Sequence, residues 1–216
     1  MKERPILFSG AMVRAILSGG KTQTRRVVKP LPEFCGGQGD QQDVRCWGWM
    51  NEDRAGPNFL SVVDSRCPYG QPGDRLWVRE THFEALKWRY TPLFAAASDF
   101  IYRADYEYRE ELRSVIGCHH WKPSIFMKRE ASRISLEIVS VRVERLQDIS
   151  EADAVAEGID AFQRGEEPKV YRDYLQRTEH FGLSAVGSYR TLWESINGAG
   201  SWSANPWVWV VEFKRL

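Results

Sequence analysis

Residues 9–28 constrain the fold more than any other part of the chain, because they predict a helix, a tight turn and a strand in immediate succession. Ser9 is a typical N-cap residue, and Gly19 and Gly20 supply the left-handed backbone that ends a helix. Between them, apolar side chains recur at helical spacing on one face: Met12, Val13, Ile16 and Leu17. A polar strand is then expected to start at Lys21.

The predicted strand opens with an unusually dense set of hydrogen-bond donors. Residues 21–26 carry one amine, two hydroxyls and two guanidiniums directly after a capped helix end. This density suits an anionic or amide-bearing ligand. On composition alone, the same cluster is also compatible with an ordinary solvated polar strand.

Length and charge set the broad class. A chain of 216 residues that is 43% hydrophobic can bury a full core, and it fits one domain with elaborations. The formal net charge of +1 means that nucleic-acid binding has to rest on a local basic patch. The chain has no long apolar run, so no membrane association is expected and a cytoplasmic location is the default. Nothing indicates an obligate protein partner.

The cysteines are widely spaced and include no CxxC pair, which favours reduced thiols. A zinc site remains an alternative, assembled from Cys46, Cys67, Cys118 and His119 or His120. No spacing demands such a site, so neither metal nor cofactor is expected. The nine tryptophans lie mostly in strand-like runs, where core packing explains them without base stacking.

Strands are predicted from alternation of apolar and polar residues and, at residues 207–213, from a nearly continuous apolar run. They are expected at residues 75–81, 99–104, 132–146 and 207–213. The third is the longest, and a slip near Val139 and Ser140 suits a β-bulge, beyond which Arg142, Glu144 and Arg145 are expected to be solvated. Glu80 falls on an apolar-facing side, where it either pairs with an arginine or contacts a ligand.

Three helices are predicted in the C-terminal part of the chain. Ser150 caps a short helix that ends at Gly158, and amphipathic patterns cover residues 168–181 and 184–197. Glu157 is the last residue of the short helix, where a carboxylate opposes the helix macrodipole at a cost of about 0.3 to 1 kcal/mol. Such a local violation is commoner at functional sites, although an exposed glutamate is also tolerated.

Four of these segments resemble the ASCH domain family in sequence and order. They are Gly20-Lys21-x-x-Thr24-x-Arg26, the run Gly73-Asp74-Arg75-Leu76-Trp77-Val78, residues 132–158 and residues 207–213. The resemblance covers about half of the chain. It implies an α+β fold with a PUA-like β-barrel, flanking helices and long inserted loops. We therefore expect one domain over residues 1–216, with insertions around 30–72, 82–130 and 160–183. The first insertion either packs over the barrel through its aromatic residues or folds near the ligand.

The resemblance also implies an activity. One member of the family is a small bacterial amidohydrolase that removes the acetyl group from N(4)-acetylcytidine with a lysine, a threonine and a glutamate. These correspond to Lys21, Thr24 and Glu157 in this sequence. Arg25, Arg26 and Glu80 are the candidate substrate-binding residues.

The implied chemistry is coherent, because amide hydrolysis needs a nucleophile, a base and donors for the oxyanion. Thr24 is the candidate nucleophile, neutral Lys21 the base, and Glu157 the residue that orients the amine. The lysine pKa has to fall by about three units from about 10.4, and an ionised Glu157 opposes this. In addition, Lys21 and Thr24 have opposite parity on an ideal strand, so the turn at Gly20 has to break the alternation.

A second function competes with the first. PUA-like barrels often bind RNA, and this chain is alternatively an RNA-binding module, with or without ribonuclease activity. In that case Lys21, Arg25, Arg26 and Lys29 contact phosphates and loop tryptophans stack on bases. The expected partner is thus a modified nucleoside or RNA.

Overall fold

The computed structural model of the chain describes residues 1–35, 39, 41–53, 56–84, 100–106, 121–176 and 178–216. Its strands are β1 (Glu3–Leu7), β2 (Gln23–Val27), β3 (Glu33–Phe34), β4 (Trp47–Asp53), β5 (Gly56–Ser61), β6 (Arg75–Arg79), β7 (His82–Glu84), β8 (Phe100–Tyr102), β9 (Ser135–Arg145), β10 (Ala161–Phe162), β11 (Val170–Arg172), β12 (Phe181–Leu183) and β13 (Trp207–Arg215). The α-helices are α1 (Gly10–Leu17), α2 (Arg103–Tyr106), α3 (Glu151–Ala156) and α4 (Ala185–Asn197). No helix within these ranges is long and apolar enough to cross a bilayer.

The helix, turn and strand predicted for residues 9–28 are confirmed. The backbone N–H of Met12 donates to Ser9 Oγ at 3.4 Å, so the serine caps α1. Val13 and Ile16 are buried on the face that the spacing predicts. Gly19 has φ 79°, which ends the helix, and β2 begins two residues after Lys21.

The largest sheet has five strands in the order β1-β6-β9-β13-β2, which makes β2 an edge strand. β1 and β6 are parallel, and the other neighbours are antiparallel. On β13, Glu212 pairs with Ser140 and Phe213 pairs with Ile138, so Val139 is the extra residue of a bulge in β9. The predicted bulge is confirmed at its predicted position.

The mixed α+β class is confirmed, but none of the four sheets in the described part of the chain closes into a barrel. The five-stranded sheet instead carries a core on each face. Because side chains alternate along β13, Trp209 and Val211 join a core with α1, whereas Val208 and Val210 join a core with α3 and α4. β2 runs along the edge between the two cores.

The first insertion packs against the sheet through aromatic residues, which is one of the two arrangements expected for it. Its described residues form the three-stranded antiparallel sheet β3-β4-β5. Trp47 lies edge-on to Trp207 with ring centroids 6.0 Å apart, and the guanidinium of Arg145 stacks on both rings at 4.3 and 4.2 Å. The expectation that Arg145 is solvated is wrong, because its planar cation gains contact with two aromatic faces.

The amphipathic helix predicted for residues 168–181 is also wrong. β10, β11 and β12 form a small antiparallel sheet there. Between β11 and β12, Asp173 Oδ1 accepts a hydrogen bond from the N–H of Leu175 at 3.0 Å, which closes a turn where a helix would continue. The neighbouring prediction for residues 184–197 is confirmed by α4, which Ser184 caps.

The insertion around residues 82–130 is described only in part. β7 and β8 pair as a hairpin, and the strand predicted for residues 99–104 is shorter, because α2 begins at Arg103. Cys118, His119 and His120 lie outside the described residues.

Candidate active site at the edge strand

Lys21 is buried and fully hydrogen-bonded at the turn before β2. Its ammonium donates to the backbone carbonyls of Gln23 and Glu157, each at 2.8 Å, and to Glu157 Oε2 at 2.7 Å. The side chain of Lys21 has 0% exposure. Its backbone pairs with Glu157 in an isolated bridge rather than with β13. All three ammonium hydrogens therefore have acceptors. One of these acceptors is the carbonyl of Gln23, the residue that directly precedes Thr24.

Gly158 makes this close approach possible. It has φ 79°, and a Cβ at this position would lie 2.7 Å from Lys21 Cβ and 2.9 Å from Ala15 Cβ. A glycine is needed on both counts, since only glycine adopts this conformation freely and leaves the space empty. The end of α3 consequently packs directly on the lysine.

Glu157 is buried, so the idea of an exposed glutamate opposing the macrodipole does not describe it. Besides Lys21, its Oε1 lies 3.5 Å from Arg25 Nη1 and accepts a hydrogen bond from the hydroxyl of Tyr189 at 3.5 Å. Positive charge on two sides compensates both its burial and its place at a helix end. Burial and the Glu157 carboxylate together raise the pKa of Tyr189 well above its ordinary value, which keeps this phenol protonated as a donor.

Two opposing effects act on the pKa of Lys21. Burial lowers this pKa below its ordinary value, and the Glu157 carboxylate raises it, with burial the larger effect. The three acceptors nevertheless hold the ammonium form in the present arrangement. The short distance to Glu157 Oε2 gives the ammonium proton a direct acceptor.

Arg25 is itself buried and belongs to a partly buried network of arginines and carboxylates beside β2. Its Nη2 donates to Glu144 Oε1 at 2.5 Å and to Asp153 Oδ2 at 3.2 Å, and its Nη1 donates to Gln23 Oε1. Arg142 completes the network through Glu144, Asp153 and Glu212. The network thus consists of six side chains: Gln23, Arg25, Arg142, Glu144, Asp153 and Glu212. The expectation that Arg142 and Glu144 are solvated holds only in part. Glu144 neutralises the buried Arg25, and Arg142, which is 36% exposed, pairs in turn with Glu144 and Asp153.

A small cavity of about 80 Å³ lies at the edge of the sheet, between α1 and α4. Its lining residues are Met12, Thr24, Arg25, Arg26, Val27, Glu157, Tyr189, Leu192, Trp193, Ile196 and Asn197. Thr24, Glu157 and Tyr189 are at most 4% exposed, whereas Ile196 is 57% exposed. The first three thus form the floor, and Ile196 lies at the mouth.

Two features explain how Lys21 and Thr24 can lie at one site despite their opposite parity. Lys21 precedes β2, and β2 is an edge strand. Thr24 pairs with Val211 and Arg25 with Val210, so the two side chains leave the strand on opposite faces. Both still line the cavity, because it wraps around an edge strand that has no further neighbour in the sheet. Lys21 precedes the strand and is not bound by its alternation.

Arg26 is held in place at the same cavity. Its Nη2 donates to the carbonyl of Leu7 at 2.7 Å, and its guanidinium lies 5.4 Å from the centroid of the Phe8 ring. Five of the six sequence-predicted site residues are therefore gathered around Lys21 and the cavity.

Glu80 is the exception. It forms a bidentate ion pair with Arg133 at 2.9 and 3.0 Å, and Arg133 also pairs with Asp105 and stacks on Tyr102 at 3.9 Å. Burial raises the pKa of Glu80 despite the arginine. Glu80 does not line the cavity, and its environment matches the first of the two alternatives given above, an ion pair.

A wider groove of about 1070 Å³ runs along α1 and the small sheet β10-β11-β12. It touches Gly158 and Gly20 but none of Lys21, Thr24 and Glu157. Its size alone does not make it the candidate site, because Thr24 and Glu157 line the smaller cavity.

Metal binding has no support in the described residues. Cys35, Cys46 and Cys67 are free cysteines, and no group of three potential ligands lies together in these parts of the chain. The alternative zinc site depends on Cys118, His119 and His120, which are not described, so it stays open.

Sequence reasoning missed the contribution of α4 to the site. The amphipathic pattern over residues 184–197 predicts a buried helix face that includes Tyr189 and Trp193, but it does not indicate what that face meets. The sequence places Asp153 in the first turn of the helix that Ser150 caps, without indicating its contact with Arg25. No family model, curated protein or solved structure matches the chain.

Proposed function

We propose that this chain is an amidohydrolase of the ASCH, PUA-like type that acts on an acylated pyrimidine nucleoside such as N(4)-acetylcytidine. The observation that carries the proposal is a buried Lys21–Glu157 ion pair at 2.7 Å, whose Glu157 lines one cavity together with Thr24. The relation to the family is supported by the motif-bearing elements, since β2, β6, β9 and β13 belong to one sheet. The site lies where β2 and the end of α3 meet α1 and α4.

In the proposed reaction, Thr24 Oγ1 attacks the acyl carbon while its proton passes to Lys21 Nζ. The C–N bond then breaks, and the departing amine takes that proton from Lys21. Water next attacks the threonyl ester, and the C–O bond to Thr24 breaks to release the carboxylic acid and restore the hydroxyl. No metal or cofactor enters these steps.

Glu157 makes the neutral lysine accessible. A proton moved from Lys21 Nζ to Glu157 Oε2 converts the ion pair to a neutral pair over a 2.7 Å hydrogen bond. In a buried site this exchange removes two charges from a poorly solvating environment, which reduces its cost. The hydroxyl of Tyr189 and Arg25 keep the other oxygen of Glu157 in place.

The direct test is to incubate the pure protein with N(4)-acetylcytidine and to measure cytidine and acetate. Thr24→Val removes the nucleophile with little change in shape, and Thr24→Ser retains a hydroxyl. We expect the valine variant to lose turnover and the serine variant to keep part of it. Lys21→Arg retains the charge but has no accessible neutral form, so it should lose turnover. Lys128→Arg, at an exposed lysine, is its matched control. A parent protein that releases no acetate excludes the proposed reaction.

The RNA-binding alternative has weaker support. Two of its four proposed phosphate contacts, Lys21 and Arg25, have side chains with 0% exposure and bonds to protein carboxylates. Phosphate contact at this end of β2 would fall to Arg26 and Lys29. If the chain binds RNA there, changing both to alanine should weaken the complex and flatten its salt dependence.

A further inference from the structure

Three buried N–H groups on the residues that line the cavity have no hydrogen-bond partner in the described structure. They are Arg25 Nε, Arg26 Nε and Trp193 Nε1. Trp193 is 5% exposed and Arg25 is 4% exposed. Buried donors are almost always paired, and an unpaired one loses the hydrogen bonds that water would provide. A ligand that supplies acceptor atoms inside the cavity would satisfy these donors.

The size of the cavity restricts that ligand. A cavity needs about 10 to 15 Å³ to hold one water-sized group, so a cavity of about 80 Å³ holds roughly five to eight non-hydrogen atoms. Pockets that enclose a whole drug-sized ligand are larger, at about 300 to 1000 Å³. A nucleoside therefore does not fit inside, whereas an acetyl group, with one acceptor oxygen and one methyl, does.

The apolar part of the lining suits the methyl. Met12, Leu192 and Ile196 line the cavity together with the polar floor. A longer acyl chain would meet Leu192, which lines the cavity and belongs to the same helix as Trp193.

We propose that this cavity is an acyl pocket, in which Trp193 Nε1–H donates to the carbonyl oxygen of a short acyl group and Leu192 limits the chain length. The pocket rests on the proposed hydrolysis and adds to it a specificity-determining residue and a substrate class, short N-acyl amides. The remainder of the substrate lies outside the mouth. Arg25 and Arg26 supply further donors on the same side.

The first experiment detects binding without hydrolysis. In a ¹⁵N-labelled sample, the nine tryptophans give indole N–H signals, and Trp193→Phe identifies the signal of Trp193. Acetamide is then titrated into the parent protein. We expect the Trp193 signal to shift and saturate. Trp49 and Trp207 are internal controls, because their indole N–H groups are also buried and unpaired but do not line the cavity.

A Trp193 signal that stays fixed, or that moves only together with those of Trp49 and Trp207, overturns the acyl pocket. If Trp193→Phe fails to fold, the signal is assigned through its contacts with Tyr189, whose ring centroid lies 6.2 Å away. The titration of the parent protein with acetamide then still tests the acyl pocket.

The second experiment uses turnover. With N(4)-acetylcytidine, Trp193→Phe should lower kcat/KM roughly tenfold, as expected for one lost hydrogen bond. Leu192→Ala should raise the rate with N(4)-butyrylcytidine relative to N(4)-acetylcytidine. An active parent whose rates and acyl preference are unchanged by both substitutions overturns the pocket alone. A parent with no hydrolysis but a saturating Trp193 shift overturns the proposed reaction and retains the pocket.

Discussion

Lys21 Nζ lies 2.7 Å from Glu157 Oε2, although 136 residues separate the two in sequence. Both side chains are buried, and each has further partners that fix its position. A buried pair of this kind strongly penalises the loss of one partner, because the other charge then remains uncompensated. The same contact joins the end of α3 to the turn before β2. It therefore acts on stability as well as on the proposed chemistry.

A double-mutant cycle measures this coupling. Glu157→Gln leaves the Lys21 cation without its carboxylate, and Lys21→Met leaves the Glu157 anion without its ammonium. Each substitution should lower the free energy of unfolding by about 3 to 5 kcal/mol. The double variant should lose much less than the sum. Urea unfolding supplies the three values, and strictly additive losses would argue against a coupled pair.

The proposed hydrolysis should speed up with rising pH. Exchange with Glu157 keeps the proton within the pair and makes Lys21 neutral only part of the time. The kcat/KM should therefore increase further as the pH rises through the pKa of this lysine and the pair loses its proton to solvent. Burial sets that pKa below the ordinary value of 10.5. Lys21→Arg retains the charge but has no accessible neutral form, so it should abolish turnover at every pH. Near-parental rates in this variant would remove Lys21 from the role of base.

Gly158 and Gly19 offer a matched comparison of backbone and steric effects. Both have φ 79°, but a Cβ at Gly19 meets nothing within 4 Å, whereas one at Gly158 meets Lys21 and Ala15 below 3 Å. Gly19→Ala should cost about 1 to 2 kcal/mol, the price of a left-handed residue with a side chain. Gly158→Ala should cost clearly more and should reduce turnover. Equal urea midpoints for the two variants would contradict the close packing at Lys21.

Asp74 should contribute stability that is lost in acid. Hydrogen bonds from the backbone N–H of Lys2 at 2.7 Å and from Arg4 Nη1 at 3.0 Å lower its pKa below the ordinary value of 3.8. A lowered carboxyl pKa stabilises the folded state above the ordinary value, and this contribution disappears as the pH falls through the folded-state pKa. The difference in unfolding free energy between the parent and Asp74→Asn should therefore shrink below pH 3.8. A difference that is independent of pH would rule this contribution out.

Local chemistry was enough to predict the elements that carry the candidate site. The hydroxyls of Ser9 and Ser150 cap helices through neighbours three residues away, and Gly19 and Gly158 end those helices in conformations that other residues avoid. An interruption of the alternation also located the bulge at Val139, because one additional residue shifts every later side chain to the other face of the sheet. Each of these features depends on residues close in sequence.

The spacing of apolar residues predicted the wrong element where a polar turn interrupts an apolar segment. The apolar spacing in residues 168–181 fits a helix, yet the Asp173 turn and pairing with β10 and β12 decide its structure. The strand pairs of β11 involve residues about ten positions away on either side. Helical spacing within one segment contains no information about such partners.

The sequence by itself determined the helix–turn–strand unit and the order Lys21, Thr24, Glu157, because caps, glycines and alternation act over a few residues. Only the tertiary structure decided that Arg25 is neutralised by Glu144 and Asp153, that β2 is an edge strand, and that Tyr189 and Trp193 close a cavity against Thr24. The physical reason is that burial and charge pairing depend on which distant segments meet. A guanidinium looks the same in sequence whether it faces water or three carboxylates.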